Sequence, residues 1–198
     1  SMWETLKDFL FPKVCVVCGL EDCNLCKVCR RDLGLSSSQV CPMCGEESVM
    51  GWTHKTCFTK WGMDGLIHVY EYGDPEVRAV IDSIKYEFNA DLVGELLEGM
   101  VFELGEKFDF LVPIPLHFYR ENWRGFNQAK LIAGGVGSCI GVEVVGLLTR
   151  NKNTKQQVLM KSKEEREQNV KGVFGLSLES AKWRLEGKKV LLVDDVFT

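Results

Sequence analysis

An α/β fold, with a parallel sheet and helices on both faces behind a small cysteine-rich module, is the architecture this sequence predicts. Three observations predict it. Eight of the nine cysteines fall within the first 57 residues. Beyond them, short apolar runs alternate with stretches whose apolar residues recur every three or four positions, the mark of strands alternating with helices. The last apolar run, Val190 to Val193, is followed at once by Asp194 and Asp195. Open α/β sheets bind their ligands just outside the carboxyl ends of such strands.

The chain has 198 residues, 45% of them hydrophobic, and a formal net charge of −4. That is enough apolar material for a real core, and the charge argues against a generally basic nucleic-acid surface. The charge is unevenly spread. Residues 61–140 carry 13 acidic and 6 basic side chains, and residues 141–198 carry 8 acidic and 11 basic ones. No stretch approaches the ~20 consecutive apolar residues that span a bilayer. The opening SMWETLKDFLF has acidic residues and no signal-peptide pattern. A cytoplasmic protein is therefore expected. There, cysteines stay reduced and close spacing signals metal rather than disulfides. Cys139, in a Gly-rich apolar setting, is expected to be a buried small hydrophobe.

In the module, Cys15 and Cys18, Cys26 and Cys29, and Cys41 and Cys44 form C-x2-C pairs, and His54 with Cys57 forms H-x2-C. This spacing lets both side chains of a pair reach one ion, at ~2.3 Å for sulfur and zinc. Gly19 and Gly45 directly follow two of the pairs, where a tight turn often needs positive φ. Eight ligands make two tetrahedral zinc sites. The sequential assignment places Cys15, Cys18, Cys26 and Cys29 in one, and Cys41, Cys44, His54 and Cys57 in the other. Spacing alone leaves open an interleaved pairing, a single occupied site, or a knuckle that uses Cys23 with Cys26. The sets are rich in thiolate and complete, so the zinc reads as structural rather than catalytic.

After a short linker, GLIHVYEY reads as a strand, broken at Gly73, Asp74 and Pro75. Val77, Val80, Ile81 and Ile84 then mark an amphipathic helix, and Leu92, Leu96, Leu97 and Met100 mark a second. DFLVPIP reads as a strand, QAKLIAGGVGSCIG as a helix weakened by glycine, and EVVGLLTR as a strand. The polar residues 149–169 fit either a helix-containing excursion or a loop, and form the natural candidate for a lid. VKGVFGLS admits a short strand, and EGKKVLLVDD closes with another.

KVLLVDDVFT, an apolar strand, two acids and a threonine, resembles the phosphoribosyl-pyrophosphate (PRPP) binding motif of type I phosphoribosyltransferases. With VPIPLHFYRENWRGFNQAKLIA, LLTRNKNTKQQVLMKSKEEREQNVKGVF and IDSIKYEFNADL, it resembles the ComF family, the amidophosphoribosyltransferase-like proteins of bacterial competence. The cysteine module resembles that family's double zinc ribbon, and the similarity runs over about residues 10–198. It implies a zinc-ribbon module at residues 1–60 and a type I phosphoribosyltransferase-like domain at residues 61–198. Family proteins continue past VFT through a glycine-containing phosphate loop. Here Thr198 alone represents it, so the resemblance implies a domain truncated at its C-terminus and an incomplete 5′-phosphate site.

Phosphoribosyl transfer puts positive charge on the ribose and negative charge on departing pyrophosphate, so carboxylates and cations must flank the reacting bond. The resemblance implies that Asp194 and Asp195 hold the ribose hydroxyls, with Mg²⁺ carried mainly by the pyrophosphate. Arg120 and Arg124 would grip phosphate bidentately, with Asn127 and Gln128 facing the substrate or bracing the loop. Arg150, Lys155, Gln156, Arg166 and Asn169 would close over the centre as a hood and exclude water. Lys85 fits either a phosphate contact or a surface helix lysine, and His117 fits a base, a phosphate ligand or a plain loop residue. Any activity would be that of a pentosyltransferase. The competing expectation is a non-enzymatic DNA-uptake factor whose ribbon and basic C-terminal segment meet single-stranded DNA or a competence helicase, using aromatics such as Trp3, Phe9, Phe11, Trp52 and Phe58.

Overall fold

The computed structural model describes residues 12–59, 62–98, 107–154 and 162–197, with the backbone alone described for Lys163, Glu164, Arg166 and Glu167. Its chain divides into two compact units, and the division falls after Ser83.

The first unit begins with the cysteine module. Helix α1 (Lys27–Asp32) is short and is capped by Cys26, whose sulfur accepts from the Cys29 amide. A single 3₁₀ turn follows at Val49–Gly51. Two similar turns carry the first halves of the metal clusters. In each, one backbone bridge closes the turn, Val14 with Glu21 and Val40 with Glu47, and a glycine at φ +75° or +77° follows the second cysteine. The stretch expected as a strand, residues 65–72, forms none. It makes isolated bridges and bonds instead: Leu66 N–H to Gly51 O at 2.9 Å, Ser36 N–H to Val69 O at 2.8 Å, and a Leu35–Tyr70 bridge. Its partners are successive loops of the ribbon, so no continuous ladder can form.

Helix α2 (Pro75–Tyr86) starts where Asp74 Oδ1 accepts the amides of Glu76 and Val77. That cap, with proline in the first turn, is the expected start signal. The predicted stripe Val77, Val80, Ile81 and Ile84 is buried.

In the second unit, helix α3 (Asp91–Leu97) precedes strand β1 (Phe110–Pro113). Helix α4 (Phe118–Arg124) and helix α5 (Gln128–Ile140) follow. Strand β2 (Leu148–Arg150), helix α6 (Lys163–Val170), strand β3 (Phe174–Leu176), a 3₁₀ turn at Leu178–Lys182 and strand β4 (Val190–Val193) complete it. Strands β1 and β4 pair in parallel from Phe110–Val190 to Pro113–Val193. A parallel bridge from Leu111 to Val144 extends this sheet on its other side. Strands β2 and β3 form a separate antiparallel ribbon. The parallel sheet is thus smaller than the sequence suggests.

Alternation along β1 sends Leu111 to one face and Val112 to the other. Leu111 and Val193 pack with Ala133 and Val136 of α5, and Leu97 of α3 joins them. On the opposite face Val112, Val145 and Leu147 pack with Trp183 and Leu185. Among the described residues that second core is closed by the segment after the 3₁₀ turn rather than by a helix. Two of the three glycines of α5, Gly135 and Gly137, reflect close approach, while a Cβ on Gly134 would meet nothing within 4 Å. A Cβ on Gly135 would lie 2.4 Å from Leu97 Cδ1, and one on Gly137 would lie 2.8 Å from Val142 O. Cys139 is exposed, contrary to expectation. It sits six residues past buried Ala133, about 240° round the helix from it. No helix among the described residues is long and apolar enough to cross a membrane.

Candidate functional sites

The first unit assembles the metal ligands in the sequential pairing. The ligand atoms of Cys15, Cys18, Cys26 and Cys29 all lie within 4.8 Å of one another, as do those of Cys41, Cys44, His54 and Cys57. Cys23 turns away, its sulfur near the carbonyls of Leu20 and Glu21. Burial pushes the Cys15 thiol up, but the backbone amides of Cys26, Cys18 and Val17 outweigh this and bring it down to about 6. Cys41 comes to the same value, with the amides of His54, Cys44 and Met43 overcoming burial. Amides aimed at sulfur favour the thiolate, the form that binds zinc. His54 points Nδ1 at Cys44 Sγ, 3.5 Å away, and its Nε2 lies 3.2 Å from Glu47 O. A carbonyl at the far nitrogen fixes the tautomer that leaves Nδ1 free to bind metal. The two donor sets fit structural zinc.

The second unit gathers most of the predicted phosphate and ribose residues at the carboxyl edge of the parallel sheet. Ile114 N–H donates to Val193 O at 2.9 Å, so the chain leaves β1 beside the point where β4 delivers Asp194 and Asp195. Asn127, buried, donates from Nδ2 to Ile114 O at 3.0 Å, and its Oδ1 caps α5 at the Ala129 amide. Gln128, also buried, accepts from Arg124 Nη1. Asn127 and Gln128 therefore brace the site. Gly125 at φ +82° ends α4 and turns the chain into this brace, a conformation suited to glycine.

Four cations and two carboxylates act on one another here. Lys85 Nζ lies 3.0 Å from Asp195 Oδ1, with the two side chains 17% and 7% exposed. Burial pulls the Arg124 guanidinium below its ordinary pKa, and Arg120 adds to this while Asp195 and Tyr86 oppose it. Burial likewise lowers Arg150, with Arg120 adding and Asp194 opposing. The protein packed around its carboxyl, and then the Asp195 charge, push Asp194 up to about 6, against the Asp195 amide, Lys85 and Arg150. Asp194 as a whole residue stays exposed, so water screens part of that shift. Arg124 Nε, Arg150 Nε and Asp195 Oδ2 are buried without a hydrogen-bond partner among the described residues. Buried polar atoms are normally paired, and these three comprise two donors and one acceptor.

Thr154 is a residue the sequence reading missed. Its carbonyl accepts from Arg120 Nη2, and its hydroxyl lies 2.6 Å from Arg150 Nη2. One threonine thus ties α4 to the end of β2, a relation no local spacing could announce. Phe174 was missed as well; its ring lies 5.5 Å beneath the Arg150 guanidinium. His117 caps α4, its Nδ1 accepting from the Tyr119 amide at 3.4 Å. Thr198, Lys155, Gln156 and the Arg166 side chain lie outside the described residues. Helix α6 shows that the polar excursion contains a helix, capped by Ser162.

A family model described as a double zinc ribbon domain matches residues 6–58. With the two ligand clusters, this makes the N-terminal module a double zinc ribbon. The chain is 29% identical over 189 residues to Competence protein ComFC of Bacillus subtilis, covering 89% of this chain and 73% of that protein. It is 33% identical over 89 residues to Competence protein F of Haemophilus influenzae, covering 44% of this chain and 38% of that protein. No solved structure matches the chain.

Proposed function

We propose that the second unit binds PRPP or a closely related phosphorylated sugar or nucleotide, and that the ribbon is its zinc-stabilised companion. The observation carrying this reading is the Lys85–Asp195 ion pair at the sheet edge, with Arg124 acting on Asp195, Arg150 on Asp194, and Arg120 beside both arginines. Such a set matches a ligand with hydroxyls at one end and clustered phosphate charge at the other. The carboxylates accept hydrogen bonds from vicinal hydroxyls and stabilise positive charge on a ribose carbon. The arginines, two with a buried Nε lacking a partner among the described residues, offer forked donors to a departing diphosphate. Gln128 holds Arg124 at the end of α4, and Asn127 ties the start of α5 to the end of β1, before the ligand arrives. Mg²⁺ bound with the diphosphate would supply further neutralisation of its charge, with the carboxylate pair as the protein oxygens nearest in kind to its preferred donors. Transfer of the pentosyl group to an acceptor would break the bond to diphosphate and release it. Titration calorimetry of the zinc-loaded chain with PRPP and Mg²⁺ tests this, and an absence of heat at millimolar ligand would remove the reading.

A second reading rests on a different observation. Helix α4 turns Phe118, Tyr119 and Trp123 to solvent, each at least 65% exposed, while its Arg120 and Arg124 belong to the cationic site. Phe88 packs edge-on against Trp123 at 4.8 Å. Exposed aromatics beside cations suit stacking with the bases of a single strand, and the names of both relatives refer to competence. On this reading the protein is a non-enzymatic transformation factor that binds single-stranded DNA or a helicase partner, in the cytoplasm. Binding to oligo-dT that falls steeply with salt and is lost in Trp123→Ala would favour it.

A further inference from the structure

The Lys85–Asp195 pair sits at the centre of the site, yet its chemistry runs against simple metal binding. Asp195 is the better buried of the two carboxylates, with 7% of its side chain exposed. One of its oxygens is held by Lys85 at 3.0 Å, and the other is buried without a partner among the described residues. A carboxylate with an open oxygen is a ready ligand for a hard divalent cation. Lys85 and Arg124 act on Asp195, Arg150 acts on Asp194, and Arg120 stands beside both arginines, so four positive charges meet the two negative charges of the carboxylate pair. A divalent ion entering alone would meet a local excess of positive charge and would have to compete with the ammonium already in place. A diphosphate reverses both conditions. It outweighs the local positive charge, and it offers Lys85 new acceptors.

We propose that Lys85 is a built-in counter-ion for Asp195, closing the carboxylate pair to a lone divalent cation and releasing it when a diphosphate-bearing ligand is bound. This rests on the reading of the site as one for a phosphoribosyl diphosphate, and it assigns that site an order of binding: anion first or together with metal, never metal first. Lysine suits the task. It is a compact point charge on a flexible stem, able to leave one oxygen for another. The ion pair also has a holding role. An isolated Asp195 carboxylate at this burial would carry an unpaired charge.

The test uses the zinc-loaded chain, Mn²⁺ as a paramagnetic probe read from the resonance of the free ion, and inorganic diphosphate. Asp195→Asn supplies the background of Mn²⁺ bound elsewhere. The wild-type chain should bind no more Mn²⁺ than this background, and added diphosphate should create Mn²⁺ binding that Asp195→Asn lacks. In Lys85→Met, Mn²⁺ alone should bind at least ~10-fold more tightly than in wild type, as expected when one positive charge leaves contact distance. Lys85→Arg, which keeps the charge, should behave as wild type. Lys85→Gln serves beside Lys85→Met, since it keeps a donor for Asp195 if full removal disturbs folding. Wild-type binding of Mn²⁺ alone above the Asp195→Asn background overturns the proposal without any Lys85 variant. So does unchanged Mn²⁺ binding in folded Lys85→Met. Failure of diphosphate to bind wild type would strike the phosphoribosyl reading itself, and calorimetry with diphosphate alone separates that result from the other two.

Discussion

Asn127 Nδ2 donates to the carbonyl of Ile114 across 3.0 Å, and the same side chain's Oδ1 accepts the Ala129 amide at 3.0 Å. One buried amide thus joins the end of β1 to the start of α5, and both partners are backbone groups that water does not easily reach. Removing it would leave an acceptor and a donor unsatisfied.

Asn127→Ala should therefore lower the stability of the second unit by about 2 kcal/mol, the sum expected for a lost cap and an orphaned carbonyl. Asn127→Asp should recover the cap at Ala129 but not the bond to Ile114, and fall between the two. Urea denaturation followed by circular dichroism would measure this. An unchanged midpoint for Asn127→Ala would show that the strand–helix junction is held by packing alone.

The metal ligands, the buried stripe of α2 and the carboxylates after β4 were all legible in the sequence, because each is set by spacing within a few residues. The failures share a cause. GLIHVYEY has a strand's alternation, yet the groups it pairs with, at Gly51, Gln39 and Ser36, lie in separate loops that no local pattern joins. The glycines of α5 read as weakness, yet Gly135 and Gly137 are clearances for Leu97, Val142 and Val144. Cys139 was assigned to the core from its neighbours' polarity, whereas the helical period decides which side a residue takes. At the site, Arg120 and Arg124 could be read from their spacing, but the convergence of Arg120 with Arg150 on Thr154 is a tertiary fact.

Two glycines with the same backbone conformation should respond differently to alanine. Gly19 and Gly51 both have φ near +75°. A Cβ on Gly19 meets nothing within 4 Å, while one on Gly51 would lie 1.8 Å from the Leu66 carbonyl oxygen. Gly19→Ala should cost only the left-handed penalty, about 1 kcal/mol. Gly51→Ala adds a backbone clash that a side-chain rotation cannot relieve, and should cost about 3 kcal/mol or more. Thermal melts of the zinc-loaded chain would compare them, and equal losses would contradict the close approach at Leu66.

Cys41→Ser should remove the metal of one cluster and spare the other, because the two donor sets share no residue. Elemental analysis should fall from two zinc ions per chain to one. A strong chelator should unfold the ribbon, since metal binding supplies much of such a module's folding free energy. Loss of both ions on a single substitution would point to one cooperative module rather than two separable clusters.

The raised pKa of Asp194, about 6, gives a pH test with a definite sign. A carboxyl whose folded pKa lies above its unfolded value contributes most below the unfolded pKa, near 4, and its contribution is lost as pH rises through about 6. Asp194→Asn should therefore match wild type at pH 4 and exceed it at pH 8. Because Asp194 is exposed, screening limits the gain to about 1 kcal/mol. Denaturation midpoints across this range would decide it. A gain at pH 4 that vanishes at pH 8 would reverse the assigned sign.

The arginines provide the sharpest test of the anion site. Arg124 and Arg150 each keep a buried Nε without a partner among the described residues, and burial lowers the pKa of both. Bringing a diphosphate to them would return hydrogen-bond partners to these atoms and charge to their surroundings. Arg124→Met should lose about two charge-assisted bonds, each worth roughly 1.5–3 kcal/mol, and so weaken inorganic diphosphate by ~10²-fold. Arg150→Met should act similarly. Arg124→Lys should restore the charge but not the fork, and recover only part of the affinity. Calorimetry at two salt concentrations would separate charge from geometry. Diphosphate binding that is insensitive to both arginines would place the anion elsewhere on the chain.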